Sequence, residues 1–139
     1  MKTPIIYEWK LELRASDLDP YHHVSSHWYL EYVISSRWHY LAKHFGEDAD
    51  SLADKGLGFF ISKASLQFRR PIRNKSVVIR SHLSKVLRGG RLLEVPYEMV
   101  SQDEKYSFGT LRFSVVDVRD IKNPRLAQLP DWAYPYFFE

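Results

Sequence analysis

The chain has 139 residues, 45% of them hydrophobic and 15% aromatic; that length suits one domain, and that content excludes disorder for most of it. It has no cysteine, which excludes a disulfide framework, a thiolate zinc site and a cysteine nucleophile. Twenty Lys and Arg against seventeen Asp and Glu leave a net charge of +3, a mild bias toward anionic partners that fits a phosphate-bearing small molecule as well as nucleic acid.

In chain order, the first ten residues carry Glu8 and Lys10 where a signal peptide needs an apolar stretch. No run approaches the ~18 apolar residues of a membrane span, so the sequence reads as soluble and cytoplasmic. Residues 5–14 place Ile5, Tyr7, Trp9, Leu11 and Leu13 on one face, the period of a strand. Residues 15–25 form a loop rich in Asp, Ser and Pro. Residues 26–45 read as one helix, buried on most sides, with Leu30, Val33, Ile34, Trp38, Leu41 and Phe45 at helical spacing. Ser25 or Ser26 is placed to cap it, and Gly46 ends it. Residues 47–56 are polar, with room for a short turn of helix.

Four strands follow, over 56–70, 75–88, 91–102 and 106–120. Gly89-Gly90 suits a hairpin between the second and third of these, and Asp103-Glu104-Lys105 a turn before the last. The tail, 123–139, holds three prolines and five aromatics and is predicted to be an irregular strap across the sheet. The order β-α-β-β-β-β predicts an α+β fold in which an antiparallel sheet curls around the helix, with 1–139 as a single domain. The sheet face or edge left over predicts a homodimer or homotetramer.

Polar residues concentrate between the first strand and the helix: Asp17, Asp19, His22, His23, Ser25, Ser26 and His27. A helix start offers unpaired N–H groups and a positive dipole end, which bind anions or a developing oxyanion. A carboxylate beside it can act as base or nucleophile. On residue chemistry alone, Asp17 and Asp19 next to Pro20 read first as turn formers. His23 and His27 stand four apart but lack the Glu of an H-E-x-x-H motif, so no metal site is expected. Neither the G-x-S-x-G of serine hydrolases nor a phosphate loop is present. Trp28, Tyr32, Phe59 and Phe60 are candidates for an apolar pocket and equally for the core. Arg69, Arg70, Arg73 and Lys75 form one basic cluster, and Lys85, Arg88 and Arg91 another; either can be a solvated rim or a phosphate contact.

The run Asp17, Asp19, His23, Val24, Ser25, Ser26 and Tyr29 resembles the hotdog-fold acyl-CoA thioesterases of the 4-hydroxybenzoyl-CoA thioesterase type. The segment FRRPIR, residues 68–73, is similar to that family's strand ending in aromatic-x-x-Pro. The element order matches too, so the resemblance spans nearly the whole chain. It implies a hotdog fold, a long central helix wrapped by a curved sheet. It implies that Asp19 acts on the thioester carbonyl, directly or through water, and that the Ser26 backbone N–H polarises the thioester oxygen, with His23 in the same motif. It implies a site shared by two subunits, with Tyr29 in the motif and the coenzyme A phosphates on basic surface residues; Trp28 and Phe60, from their aromatic character, are the candidates for the substrate side, and Arg69, Arg70 and Arg73, from their cluster, for the phosphates. Asp17 is then structural, bonding loop N–H groups. The expected substrate is a fatty or aromatic acyl thioester of coenzyme A or of an acyl-carrier protein, with no separate cofactor expected. Relatives often carry Asn at the Ser25 and Ser26 positions and Gly-Asp at Asn74-Lys75.

Two other readings stand beside this one. Asp17-Leu18-Asp19-Pro20-Tyr21-His22 differs only at Asp19 from the Asp-x-Asn-Pro-x-His loop of hotdog-fold hydratases. A non-catalytic acyl-, coenzyme A- or RNA-binding protein is the third. Nucleic acid is disfavoured, since no RRM-type Gly-Phe-Gly-Phe run occurs and the aromatics are needed for the core.

Overall fold

The computed structural model describes residues 2–18, 20–21, 24, 28–72 and 76–139. Strand β1 spans Tyr7–Glu12 and alternates as expected, with Tyr7, Trp9 and Leu11 inward and Glu8, Lys10 and Glu12 outward. Helix α1 spans Trp28–Phe45. It stops at Gly46, whose φ of +67° is a left-handed conformation that glycine adopts freely. Helix α2, Ala49–Asp54, is the short turn expected; Asp48 and Ser51 close a reciprocal capping box at its start. Among the described residues no helix is long and apolar enough to cross a membrane.

Strands β2 (Leu57–Phe68), β3 (Ser76–Ser81), β4 (Lys85–Leu87), β5 (Leu92–Ser101), β6 (Glu104–Asp117) and β7 (Arg125–Leu126) complete one antiparallel sheet. Its order is β1-β3-β5-β6-β2, with β4 on β5 and β7 on β6. The sheet curls around α1, as the element order predicts. Tyr29, Tyr32 and Val33 pack on Ile72, Val77, Ile79, Tyr97, Met99 and Leu111 at one end. Leu52, Leu57, Leu93, Val95, Val115 and the tail fill the other.

Three expectations change. The strand expected over 75–88 breaks at 82–84, so β3 pairs with β1 and β5 while β4 pairs with β5 alone. Gly89-Gly90 does turn this hairpin, both with positive φ. The turn before β6 is Gln102-Asp103, with φ of 50° and 63°, and Glu104 already pairs with Ser101. The tail is a strap but not irregular. Arg125–Leu126 pairs with β6, and Asp131–Tyr136 winds into a 3-10 helix that buries Leu129, Ala133 and Phe137 with its flanks. Pro130 and Pro135 suit such a turn because each lacks an N–H and fixes φ.

The helix also buries a different stripe from the apolar one. Tyr29, Tyr32, Val33, Ser36, Arg37 and Leu41 are buried, whereas Leu30, Ile34, Trp38 and Phe45 are half-buried. Glu31, His39, Ala42, Lys43 and His44 are exposed, so one side of α1 meets solvent. Ser36 is tolerated inside because its hydroxyl donates to the Val33 carbonyl at 2.7 Å.

Candidate active site

The loop between β1 and α1 is pinned from the sheet side. Asp17 is 2% exposed. Its carboxylate accepts the Arg14 backbone N–H at 3.1 Å and the Arg14 guanidinium at 3.0 Å. Leu18 bridges to Val24, and the Val24 N–H donates to the Ile72 carbonyl at 3.1 Å. Burial alone would raise the Asp17 pKa; the Arg14 bonds and the nearby Tyr32 hydroxyl outweigh it and hold the carboxyl below its ordinary range. Tyr32 moves the other way, raised by its own burial and then by the Asp17 charge. Its hydroxyl is buried beside that carboxylate without a well-aligned hydrogen bond among the described residues.

Asp17 thus accepts two bonds from Arg14 at the start of the loop. Because its native pKa is depressed, its charge stabilises the fold fully above the unfolded carboxylate value of about 3.9. That contribution is lost as pH falls through the lower native value. Asp17→Asn is expected to cost about 1–3 kcal/mol at pH 7, with the deficit narrowing in acid below about pH 3.9. Urea melts at pH 7 and pH 3 measure this, and an equal deficit at both would show that charge is not the cause.

Asp19, His23 and Ser26 lie outside the described residues, as do Arg73 and Lys75. The described candidates fall in two places. Tyr29 is buried one residue into α1, edge-on to Phe68 with ring centres 4.9 Å apart. Trp28 is half-buried at the helix start and stacks on Tyr32 at 6.3 Å. Phe68 ends β2, and Ile72, four residues on, holds Val24. Arg69 and Arg70 are thus carried in an exposed segment whose two ends touch the helix start and the loop. Their N–H groups both reach the Tyr106 carbonyl, at 2.8 and 3.3 Å, and Arg70 pairs with Glu104 at 3.1 Å. Phe60 is elsewhere: eight residues back along β2, roughly 25 Å at the usual strand rise, and 50% exposed.

Sequence reading missed a cavity of 230 Å³ between the middle of α1 and the concave face of the sheet. Ile34, Trp38 and Leu41 line it from the helix, and Phe59, Leu93 and Phe113 from β2, β5 and β6. Of the four aromatic pocket candidates only Phe59 lines it; strand alternation puts Phe60 on the opposite face. Arg37 lines it too. The signal was present: Arg37 stands between Val33 and Leu41 at four-residue spacing, a charge inside an apolar row. Among the described residues no group of three or more His, Asp or Glu is placed to hold a metal ion.

A sheet curled around one long helix, with a polar loop leading to the helix start, defines the hotdog class. The sequence model of the thioesterase-like superfamily matches residues 13–135, and the chain belongs to that superfamily. Among solved structures it is similar to a hypothetical protein of Thermus thermophilus, at 21% identity and TM-score 0.78, covering 94% of this chain and 95% of that one. A probable thioesterase of Bartonella henselae matches at 19% identity and TM-score 0.75, covering 91% and 100%. The DHNA-CoA thioesterase of Staphylococcus aureus matches at 14% identity and TM-score 0.76, covering 94% and 88%. No curated protein sequence matches the chain significantly.

Proposed function

We propose that this protein hydrolyses acyl-CoA thioesters. The observation that carries the reading is the pinned loop. Arg14 holds Asp17, and Ile72 holds Val24, in the segment that leads to α1, in a chain of the thioesterase-like superfamily. In this reading the helix start polarises the thioester carbonyl, and Asp19 activates water or attacks directly. The acyl group enters the cavity beside Trp38 and Phe59, and Arg69 and Arg70 meet the coenzyme A phosphates at the surface. A thiol-release assay over a panel of acyl-CoAs tests it. Thiol release is the expected result; consumption of crotonyl-CoA without free thiol would move the assignment to hydration.

The same reading has two copies sharing the site. β1 is a six-residue edge with Glu8, Lys10 and Glu12 turned outward, the kind of charged edge that resists pairing. β2 ends the sheet on the other side, twelve residues long with Phe60, Ile61 and Phe68 exposed. Such an edge favours a strand of a second copy. Sedimentation at micromolar concentration is expected to give a dimer or a tetramer, and a strict monomer would remove the shared site.

A further inference from the structure

Arg37 is 8% exposed and sits on the buried face of α1. Its Nη1 donates to Ser81 Oγ at 2.9 Å, and its Cζ lies 4.3 Å over the Tyr7 ring. Neither neighbour carries a negative charge. Ser81 is neutral, and burial pushes the Tyr7 phenol up to about 12, so it keeps its proton at neutral pH. The Tyr7 hydroxyl donates to the Tyr136 carbonyl, 2.7 Å away. Among the described residues no carboxylate pairs with Arg37.

A cation buried without a counter-charge is costly, and proteins that bury one normally pair it. A guanidinium does not escape by losing its proton at physiological pH. The Tyr7 face and one serine oxygen meet only part of its need, since its fork carries five N–H donors. The same side chain lines the cavity whose other walls include Ile34, Trp38, Phe59, Leu93 and Phe113. Apolar walls strengthen the field of a charge set among them, and a guanidinium fork matches the two oxygens of a carboxylate. Along the helix, Arg37 stands nine residues past Trp28, about 13 Å from the helix start at the usual rise. An anion held there is not the thioester group reacting at the helix start.

We propose that this cavity binds the far end of an acyl group that carries a terminal carboxylate, with Arg37 as the residue that selects it. A plain fatty chain covers the apolar walls but leaves the guanidinium unpaired. A neutral hydroxyl satisfies one N–H and brings no charge. A carboxylate at the end of a short apolar body meets both demands. That the ligand arrives as a thioester rests on the thioesterase reading; the pocket itself does not.

Two measurements separate the pocket from the catalysis. In the first, calorimetry compares monomethyl octanedioate with methyl octanoate on the wild-type protein. The carboxylate ester is expected to bind about 10- to 100-fold more tightly, the range of a charge-assisted hydrogen-bonded pair. Equal binding, weaker binding or none overturns the proposal. Arg37→Met is expected to erase the preference and Arg37→Lys to keep part of it. Should either variant fail to fold, the wild-type comparison decides alone. In the second, thiol release from hexanedioyl-, octanedioyl- and decanedioyl-CoA is compared with the plain acyl-CoAs of equal length. The preference is expected in KM more than in kcat, because the contact is made equally in ground and transition states. Thiol release with no preference for the carboxylate overturns the pocket and leaves the thioesterase. Preferential binding with no thiol release from any of them leaves the pocket and removes the thioesterase.

Discussion

Asp19→Ala is expected to lower thiol release from a good acyl-CoA substrate by about 10²- to 10⁴-fold, the usual worth of a positioned acid or base. Thioester hydrolysis needs a group that either deprotonates water or attacks the carbonyl, and alanine does neither. The fold should survive the change. Among the described residues, the bonds that anchor this loop belong to Arg14, Asp17, Leu18 and Val24. The melting temperature should therefore stay near wild type, which separates lost chemistry from lost structure. Asp19→Asn is a weaker probe, since an amide can still position water. A folded Asp19→Ala protein with full activity would take the catalytic role from this residue.

Gly109→Ala is expected to be the most damaging substitution for stability among the glycines of the sheet. Gly109 lies in β6 between Leu66 of β2 and Tyr97 of β5. A Cβ there would run into the Ser65 carbonyl oxygen and sit 2.9 Å from the Ser65 carbonyl carbon and 3.1 Å from the Leu66 Cα. These are backbone atoms held by the ladder, so they cannot turn aside as a side chain can. β2 would have to lift from β6. That movement would also strain the relay in which Tyr97 Oη and Ser107 Oγ meet at 2.8 Å and Ser107 donates to the Gln67 carbonyl at 2.8 Å. Overpacking of this kind costs about 3 kcal/mol or more, which lowers the melting temperature by roughly 10 °C in a chain of this size. Calorimetry checks it, and a melt within about 2 °C of wild type would show that the strands separate cheaply. Gly46→Ala makes a useful contrast. Nothing lies within 4 Å of its added Cβ, so only the left-handed backbone opposes it, at about 1–2 kcal/mol.

What could be read without coordinates was what has a short period. Alternation gave β1, helical spacing gave the extent of α1, Gly46 its end, and Gly89-Gly90 the β4–β5 hairpin. The break at 82–84 carried no such sign. It arises because β3 is held from both sides while β4 has β5 alone, a fact of sheet order rather than of local sequence. The 3-10 helix of the tail was hidden for a similar reason, since Pro130 and Pro135 argue against an α-helix without arguing for a tighter turn. The burial of Ser36 and Arg37 went unseen because an apolar stripe is the cue for a helix lying on a flat surface. A concave sheet reaches further around and takes in polar residues if they find partners. In the loop, the motif drew attention to Asp19, but the anchor is assembled from Arg14, Asp17 and Tyr32, the last from one turn into α1.

The strap has a consequence for how the chain is made. The Tyr7 hydroxyl donates to a carbonyl 129 residues later, at Tyr136, and the Ile5 N–H donates to the Phe137 carbonyl. During synthesis β1 is followed first by α1 and β3, which it packs on and pairs with, and only much later by the strap. Until the strap arrives, the aromatic face of β1 is covered only in part, by Arg37 and Tyr40 of α1. Contacts this distant in sequence slow folding, and a nascent chain in that state is one that chaperones would meet.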